Sequence, residues 1–176
     1  SIDEAISLQE SGGFPSGINK VIFLLHKPVG LGSRENVLKI TDARVRRFFK
    51  LFDGPEICAR SGFDSCCVPG VLNMTSKILW ASIDTCEGGR YSAYITPDMK
   101  MLPCSFDQQH RWAVDLAKTS IEEAWNSTAF DAFRRRLWES CPDCALQRWC
   151  MGGCPINKEI VLCGTINGGV THEIQN

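Results

Sequence analysis

The stretch CPDCALQRWCMGGCP, running from Cys141 to Pro155, constrains this chain more than any other. Cys141, Cys144, Cys150 and Cys154 stand at spacings x2, x5 and x3, and Cys163 follows after eight further residues. Short loops between cysteines close a chelate round one ion or cluster. Soft thiolates of this kind select zinc, copper(I) or iron–sulfur clusters. Disulfides are the competing reading for a chain with 10 cysteines, and they belong to oxidising compartments. The opening residues do not read as a secretory leader, so a reduced, cytoplasmic setting with metal-bound thiolates is the expectation.

Composition narrows the function classes. The 176 residues are 44% hydrophobic, enough to fill a core. The net charge of −1 supplies no basic field to draw the chain to nucleic acid or a membrane surface. No apolar run is long enough to cross a bilayer. The first residue is serine rather than methionine, as in a processed or truncated piece.

In chain order, Ile2–Gln9 reads as a short helix before a Gly/Ser-rich loop. Val21-Ile22-Phe23-Leu24-Leu25 is a continuous apolar run, the pattern of a parallel strand buried on both faces. It ends in His26-Lys27-Pro28-Val29-Gly30, a turn to which no catalytic role is assigned. Thr41 to Asp53 reads as a helix capped by Thr41, with Val45, Phe48, Phe49 and Phe52 on one face. Gly54-Pro55 stops it. Strands are expected at Glu56–Arg60 and Lys77–Ile83. The segment from Cys86 to Cys104 reads as a β-hairpin with its turn at Thr96-Pro97-Asp98-Met99, which brings the two cysteines to one end. Ser120 and Glu123 form a capping box ahead of a helix over Thr128–Glu139, where Phe130, Phe133 and Leu137 share a face. Arg134, Arg135 and Arg136 spread around that helix as a solvated or ion-paired surface. Residues after Gly164 read as a fraying tail.

Four of the dense cysteines, Cys141, Cys144, Cys150 and Cys154, would suffice for one tetrahedral zinc. That leaves Cys86, Cys104 and Cys163 unexplained. An iron–sulfur cluster needs four thiolates round a larger object that backbone N–H groups can approach. Gly152-Gly153 before Cys154, and prolines after Cys141 and Cys154, suit it. The seven cysteines at 86, 104, 141, 144, 150, 154 and 163, with one of Cys58, Cys66 or Cys67, make two sets of four.

The order Cys86-x17-Cys104, then Cys141-x2-Cys144-x5-Cys150-x3-Cys154, then Cys163 resembles a SPASM domain, the C-terminal extension of radical S-adenosylmethionine (SAM) enzymes that mature peptides and proteins. Ile95-Thr-Pro-Asp98 leading into Pro103-Cys104, and Cys150-Met-Gly-Gly-Cys154-Pro155, carry the same resemblance. Met99 departs from it, standing where the family usually has glycine. The resemblance covers about residues 80–163 and extends more weakly over 20–60, which look like the last strand–helix units of a partial radical SAM barrel. It implies an α+β chain: terminal units of a partial α/β barrel over 1–62, then a SPASM domain over 63–176 with a β-hairpin and short helices around two cluster sites.

The same resemblance implies two auxiliary 4Fe–4S clusters. Cys86, Cys104 and Cys154 would hold the first, with Cys66 chosen as fourth ligand over Cys67 and Cys58. Cys141, Cys144, Cys150 and Cys163 would hold the second. The Cys-x3-Cys-x2-Cys motif that binds the SAM cluster does not occur in this sequence. SAM and a third 4Fe–4S cluster would therefore sit in an N-terminal radical SAM half, on the same chain before truncation or on a split partner. The implied partners are a peptide or protein substrate, that half and an electron donor. A zinc-binding interaction module and a stand-alone electron-transfer protein are the alternatives.

Overall fold

The computed structural model describes residues 1–77, 83–139, 141 and 143–164. Contacts divide the chain into two compact units, Ser1–Ile83 with Glu159–Asn176, and Asp84–Lys158. The sequence reading divides the chain earlier, after residue 62. Among the described residues no helix is long and apolar enough to cross a membrane.

In the first unit, helix α1 (Ile2–Ser11) opens on a full capping box, Ser1 with Glu4, and ends at Gly12 with φ 63°. Strands β1 (Val21–Phe23) and β2 (Ser61–Phe63) pair in parallel, with Phe23 opposite Phe63. Helix α2 (Ala43–Lys50) carries the expected stripe, and Val45, Phe48, Phe49 and Phe52 are all buried. Its cap is Asp42 rather than Thr41: the carboxylate accepts from the Arg44 N–H at 2.9 Å and also pairs with the Arg44 guanidinium. A carboxylate suits the positive end of the helix dipole better than a hydroxyl. Five phenylalanines then pack together, Phe23 edge to face on Phe48 and Phe63 tilted on Phe52. Phe23 lies 5.0 Å from Phe48, and Phe52 lies 4.4 Å from Phe63.

Two expectations fail in this unit. The apolar run at Val21–Leu25 is buried on one face only: Leu25 is 4% exposed, while Ile22 and Leu24 are 54% and 73% exposed. Alternation decides it, with Phe23 turning to the α2 aromatics and its neighbours turning away. The strand expected at Glu56–Arg60 is helix α3 (Pro55–Arg60), and the strand follows it. Pro55 in the first helical turn has its φ preset and no N–H to orphan, so Gly54-Pro55 starts a helix as well as ending one. After a 3-10 turn at Ser65–Cys67 comes α4 (Val68–Met74). A Cβ on Gly70 would meet the Phe49 ring at 2.6 Å, which is why α4 can lie so close to α2. The strand expected at Lys77–Ile83 and the tail after Gly164 fall largely or wholly outside the described residues.

The second unit is built on a three-stranded antiparallel sheet of β3 (Tyr94–Ile95), β4 (Lys100–Leu102) and β5 (Val114–Asp115), in that order. The hairpin turn falls where the sequence places it: the Thr96 N–H donates to the Lys100 carbonyl at 2.9 Å, and the Lys100 N–H to the Thr96 hydroxyl at 3.0 Å. Strand β5 has too few residues for any periodicity to announce it. The capping box at Ser120 and Glu123 has both arms in place and opens α5 (Ile121–Trp125). Helix α6 (Thr128–Glu139) divides its apolar stripe between two jobs. Phe130 packs with Met101 and Ala124 over the sheet, whereas Phe133 and Leu137 pack with Met151 against Cys86 and Cys104. Helix α7 (Gln147–Cys150) is a single turn.

Candidate metal centre

The hairpin sets Cys86 against Cys104. Register pairs Tyr94 with Leu102 and Ile95 with Met101, which brings the chain ahead of β3 alongside the chain leaving β4. The approach is close: a Cβ on Gly88 would meet the Pro103 carbonyl at 2.8 Å and Cys104 Cβ at 3.5 Å. Gly89, at φ 64°, would put a Cβ 3.1 Å from Pro103. Arg134 on α6 fixes this corner by donating to the Gly89 carbonyl at 2.6 Å and to the Trp125 carbonyl at 2.8 Å. Arg134 is ion-paired with Asp131 at 2.8 Å, one of the two roles expected of the α6 arginines, and braces this corner as well.

Cys154 joins the same pair. Met151, Gly152 and Gly153 have φ of 53°, 76° and 75°, a left-handed run that turns the chain between Cys150 and Cys154. The glycines serve this conformation. The Gly153 N–H is engaged by the Cys150 carbonyl at 3.1 Å, so it is spent in the turn and not aimed at a sulfide as the sequence suggests. Buried Met151 packs on Phe133 and Leu137.

The sulfurs of Cys86, Cys104 and Cys154 lie near enough to act on one another electrostatically. Each also receives a backbone N–H: Gly88 donates to Cys86, Phe106 to Cys104, and Asn157 to Cys154 at 3.3 Å. Burial pushes the Cys86 thiol up, and the N–H from Gly88 only partly offsets it. Burial likewise pushes Cys104 up to about 11, against the N–H of Phe106 and with the added charge of Cys86, Cys154 and Asp107. Burial thus favours the protonated thiols at Cys86 and Cys104, against the Arg90 guanidinium that acts on Cys86; a bound metal would reverse that balance. Trp112, Phe133, Leu137, Met151 and Ile156 supply the apolar wall.

This donor set fits an iron–sulfur cluster. Among the described residues, no three or more His, Cys, Asp or Glu side chains form a group that could hold one metal ion. A cluster of irons and sulfides is a larger object, and thiolates that accept N–H bonds within an apolar wall are how proteins hold and tune one.

The remaining candidates are placed as follows. Cys141, Cys144 and Cys150 are half-buried on successive turns, with the Cys144 N–H on the Cys141 carbonyl at 3.2 Å and the Cys150 N–H on the Leu146 carbonyl at 2.9 Å. Cys163 belongs to the first unit, where it is buried and its thiol donates to Asn73 Oδ1 at 3.8 Å. Cys66 is half-buried in the same unit, next to buried Cys67. Lys27, paired with Asp64, stands beside both. Burial alone would lower the Lys27 ammonium; the Asp64 hydrogen bond and the charge of Cys66 outweigh it and raise it. Cys58 is exposed on α3.

Residues 86–145 match the family model of SPASM, an iron-sulfur cluster-binding domain. The chain carries a SPASM domain. It matches no curated protein and no solved structure. The SPASM match opens at Cys86, takes in the hairpin, α5 and α6, and closes just past Cys144. Cys86, Cys104, Cys141 and Cys144 fall inside it, and Cys150, Cys154 and Cys163 lie beyond. Sequence reasoning singles out these cysteines but does not anticipate the N–H groups of Gly88, Phe106 and Asn157 beside Cys86, Cys104 and Cys154. A residue two or three places after a ligand cysteine is the signal to look for, since a tight turn there aims its N–H back at sulfur. It also misses Asp107, a buried acid three residues after Cys104.

Proposed function

We propose that this chain is the C-terminal part of a radical SAM peptide- or protein-modifying enzyme, and that its SPASM domain binds two 4Fe–4S clusters. Cys86, Cys104 and Cys154 hold the first cluster. Cys141, Cys144 and Cys150 hold the second. Cys66 and Cys163 complete the two sets from the sequence reading alone. The observation that carries the reading is the match of residues 86–145 to the SPASM iron-sulfur cluster-binding domain, with Cys86, Cys104 and Cys154 near enough to act on one another electrostatically.

When bound, such clusters supply one-electron transfer. The chain's own part is to bind, to insulate and to tune. The thiolates ligate; the N–H groups of Gly88, Phe106 and Asn157 stabilise charge on sulfur; Phe133, Leu137 and Met151 keep water off one side. A peptide or protein substrate, an electron donor and an N-terminal half carrying SAM and a third 4Fe–4S cluster are the partners this role requires.

Anaerobic reconstitution with iron and sulfide tests it. The expected load is about eight irons and eight sulfides per chain, as two 4Fe–4S clusters require, with a broad visible absorption that bleaches on reduction. One zinc per chain and no sulfide would overturn the reading.

A further inference from the structure

Asp107 has a side chain with no solvent exposure, in a loop that the cysteine chemistry alone does not explain. Its backbone N–H donates to the Cys104 carbonyl at 3.1 Å. Its carboxylate accepts from the Trp112 N–H at 3.2 Å and from Arg111 Nε at 3.4 Å. Arg111 then crosses to the other ligand-bearing segment, donating through Nη2 to the Ile156 carbonyl at 3.3 Å. Ile156 immediately precedes Asn157, whose N–H meets Cys154 Sγ. The guanidinium also lies 4.5 Å above the Trp112 ring, which in turn packs edge-on to Phe133 at 5.1 Å. One ion pair thus ties the turn after Cys104 to the turn after Cys154, segments far apart in sequence.

A buried carboxylate is costly unless it is paired and hydrogen-bonded. Asp107 satisfies that condition only through groups that shape the metal centre. Its negative charge also reaches the Cys104 sulfur. In a medium less polar than water, a fixed charge beside a redox group favours the oxidation state of opposite balance. A carboxylate disfavours an added electron and a guanidinium favours it.

We propose that Asp107 and Arg111 are positioning residues for the group bound at Cys86, Cys104 and Cys154: they fix the relative placement of the Cys104 and Cys154 turns and set that group's reduction potential with opposite signs. This rests on the cluster reading above. The Asp107 side chain is fully buried and that of Arg111 is 41% exposed, so water and salt screen the arginine's effect more strongly.

The test is an anaerobic redox titration of the reconstituted chain, followed by electron paramagnetic resonance so that the two clusters are read as separate components. Asp107→Asn, which keeps size and one of the two accepting oxygens, is expected to raise the midpoint of one component and leave the other in place. Arg111→Gln is expected to lower the same component by a smaller amount, and Arg111→Lys, which keeps the charge, to leave it near wild type. Should Asp107→Asn fail to fold, the two arginine variants decide the matter by themselves. Shifts of the same sign, equal shifts from Arg111→Gln and Arg111→Lys, or no shift in fully loaded protein would overturn this inference and leave the cluster reading standing. A wild-type chain that takes up no cluster would overturn both.

Discussion

Met99 holds φ at 60° in the hairpin turn, a conformation that costs an L-residue with a Cβ roughly 1–2 kcal/mol. Glycine adopts it freely. Met99→Gly should therefore stabilise the second unit by about 0.5–1 kcal/mol, after the extra freedom glycine gives the unfolded chain, seen as a higher urea midpoint. Gly88→Ala should do the reverse. Its methyl would press on the Pro103 carbonyl at 2.8 Å, and overpacking of this kind costs about 1–3 kcal/mol, with weakened iron uptake at the Cys86–Cys104 pair as a second readout. Asp53 gives a pH signature. Partial burial alone would raise its carboxyl, but the Ser76 hydroxyl and the N–H groups of Ser76 and Lys77 outweigh that and hold it below the usual aspartate range. A carboxyl lowered by folding contributes stability that is full above its unfolded value and lost as pH falls through its folded value. Asp53→Asn should accordingly flatten the acid limb of a stability–pH curve and leave its slope at neutral pH unchanged. At this scale the Ser120 cap was legible, and the cysteines stood out as candidates, because capping hydroxyls and thiols announce themselves by residue type. The N–H donors to sulfur were not, because every residue but proline has one and only the turn decides where it points.

Helix α6 shows how one element serves two purposes. Phe130 closes the sheet core and Phe133 forms the wall of the metal centre, both at 0% exposure. Phe133→Ala should cost about 3–5 kcal/mol, as buried aromatic truncations do, and should also admit water beside the Cys86 and Cys104 sulfurs. Phe130→Ala should cost a similar amount in urea titration while leaving the absorption of the loaded centre unchanged. Periodicity made α2 and α6 readable, since each carries an apolar stripe across at least two turns. It failed for α3, where six residues hold too little period to separate helix from strand. It failed again for β1, where five apolar residues in a row hid an alternation that only the packing of α2 imposes. The ion pair between Asp107 and Arg111 was hidden for a related reason: an i, i+4 pair off a helix carries no pattern of its own.

The second unit is continuous from Asp84 to Lys158, while the first is assembled from two separated stretches, Ser1–Ile83 and Glu159–Asn176. Under the proposed division of ligands, Cys150→Ala should remove one cluster and spare the one at Cys86, Cys104 and Cys154. Iron per chain would fall by about half; full retention or complete loss would contradict the division of ligands. The discontinuity also has a consequence in time. Ile160, Val161 and Leu162 are 2%, 2% and 1% exposed, and a Cβ on Gly70 of α4 would lie 3.1 Å from Leu162, so the first unit's core is unfinished until they arrive. Domains made on the ribosome ordinarily fold in order of emergence. Here the order inverts: the continuous unit, Asp84–Lys158, is complete in the nascent chain while the first unit still waits for Ile160, Val161 and Leu162.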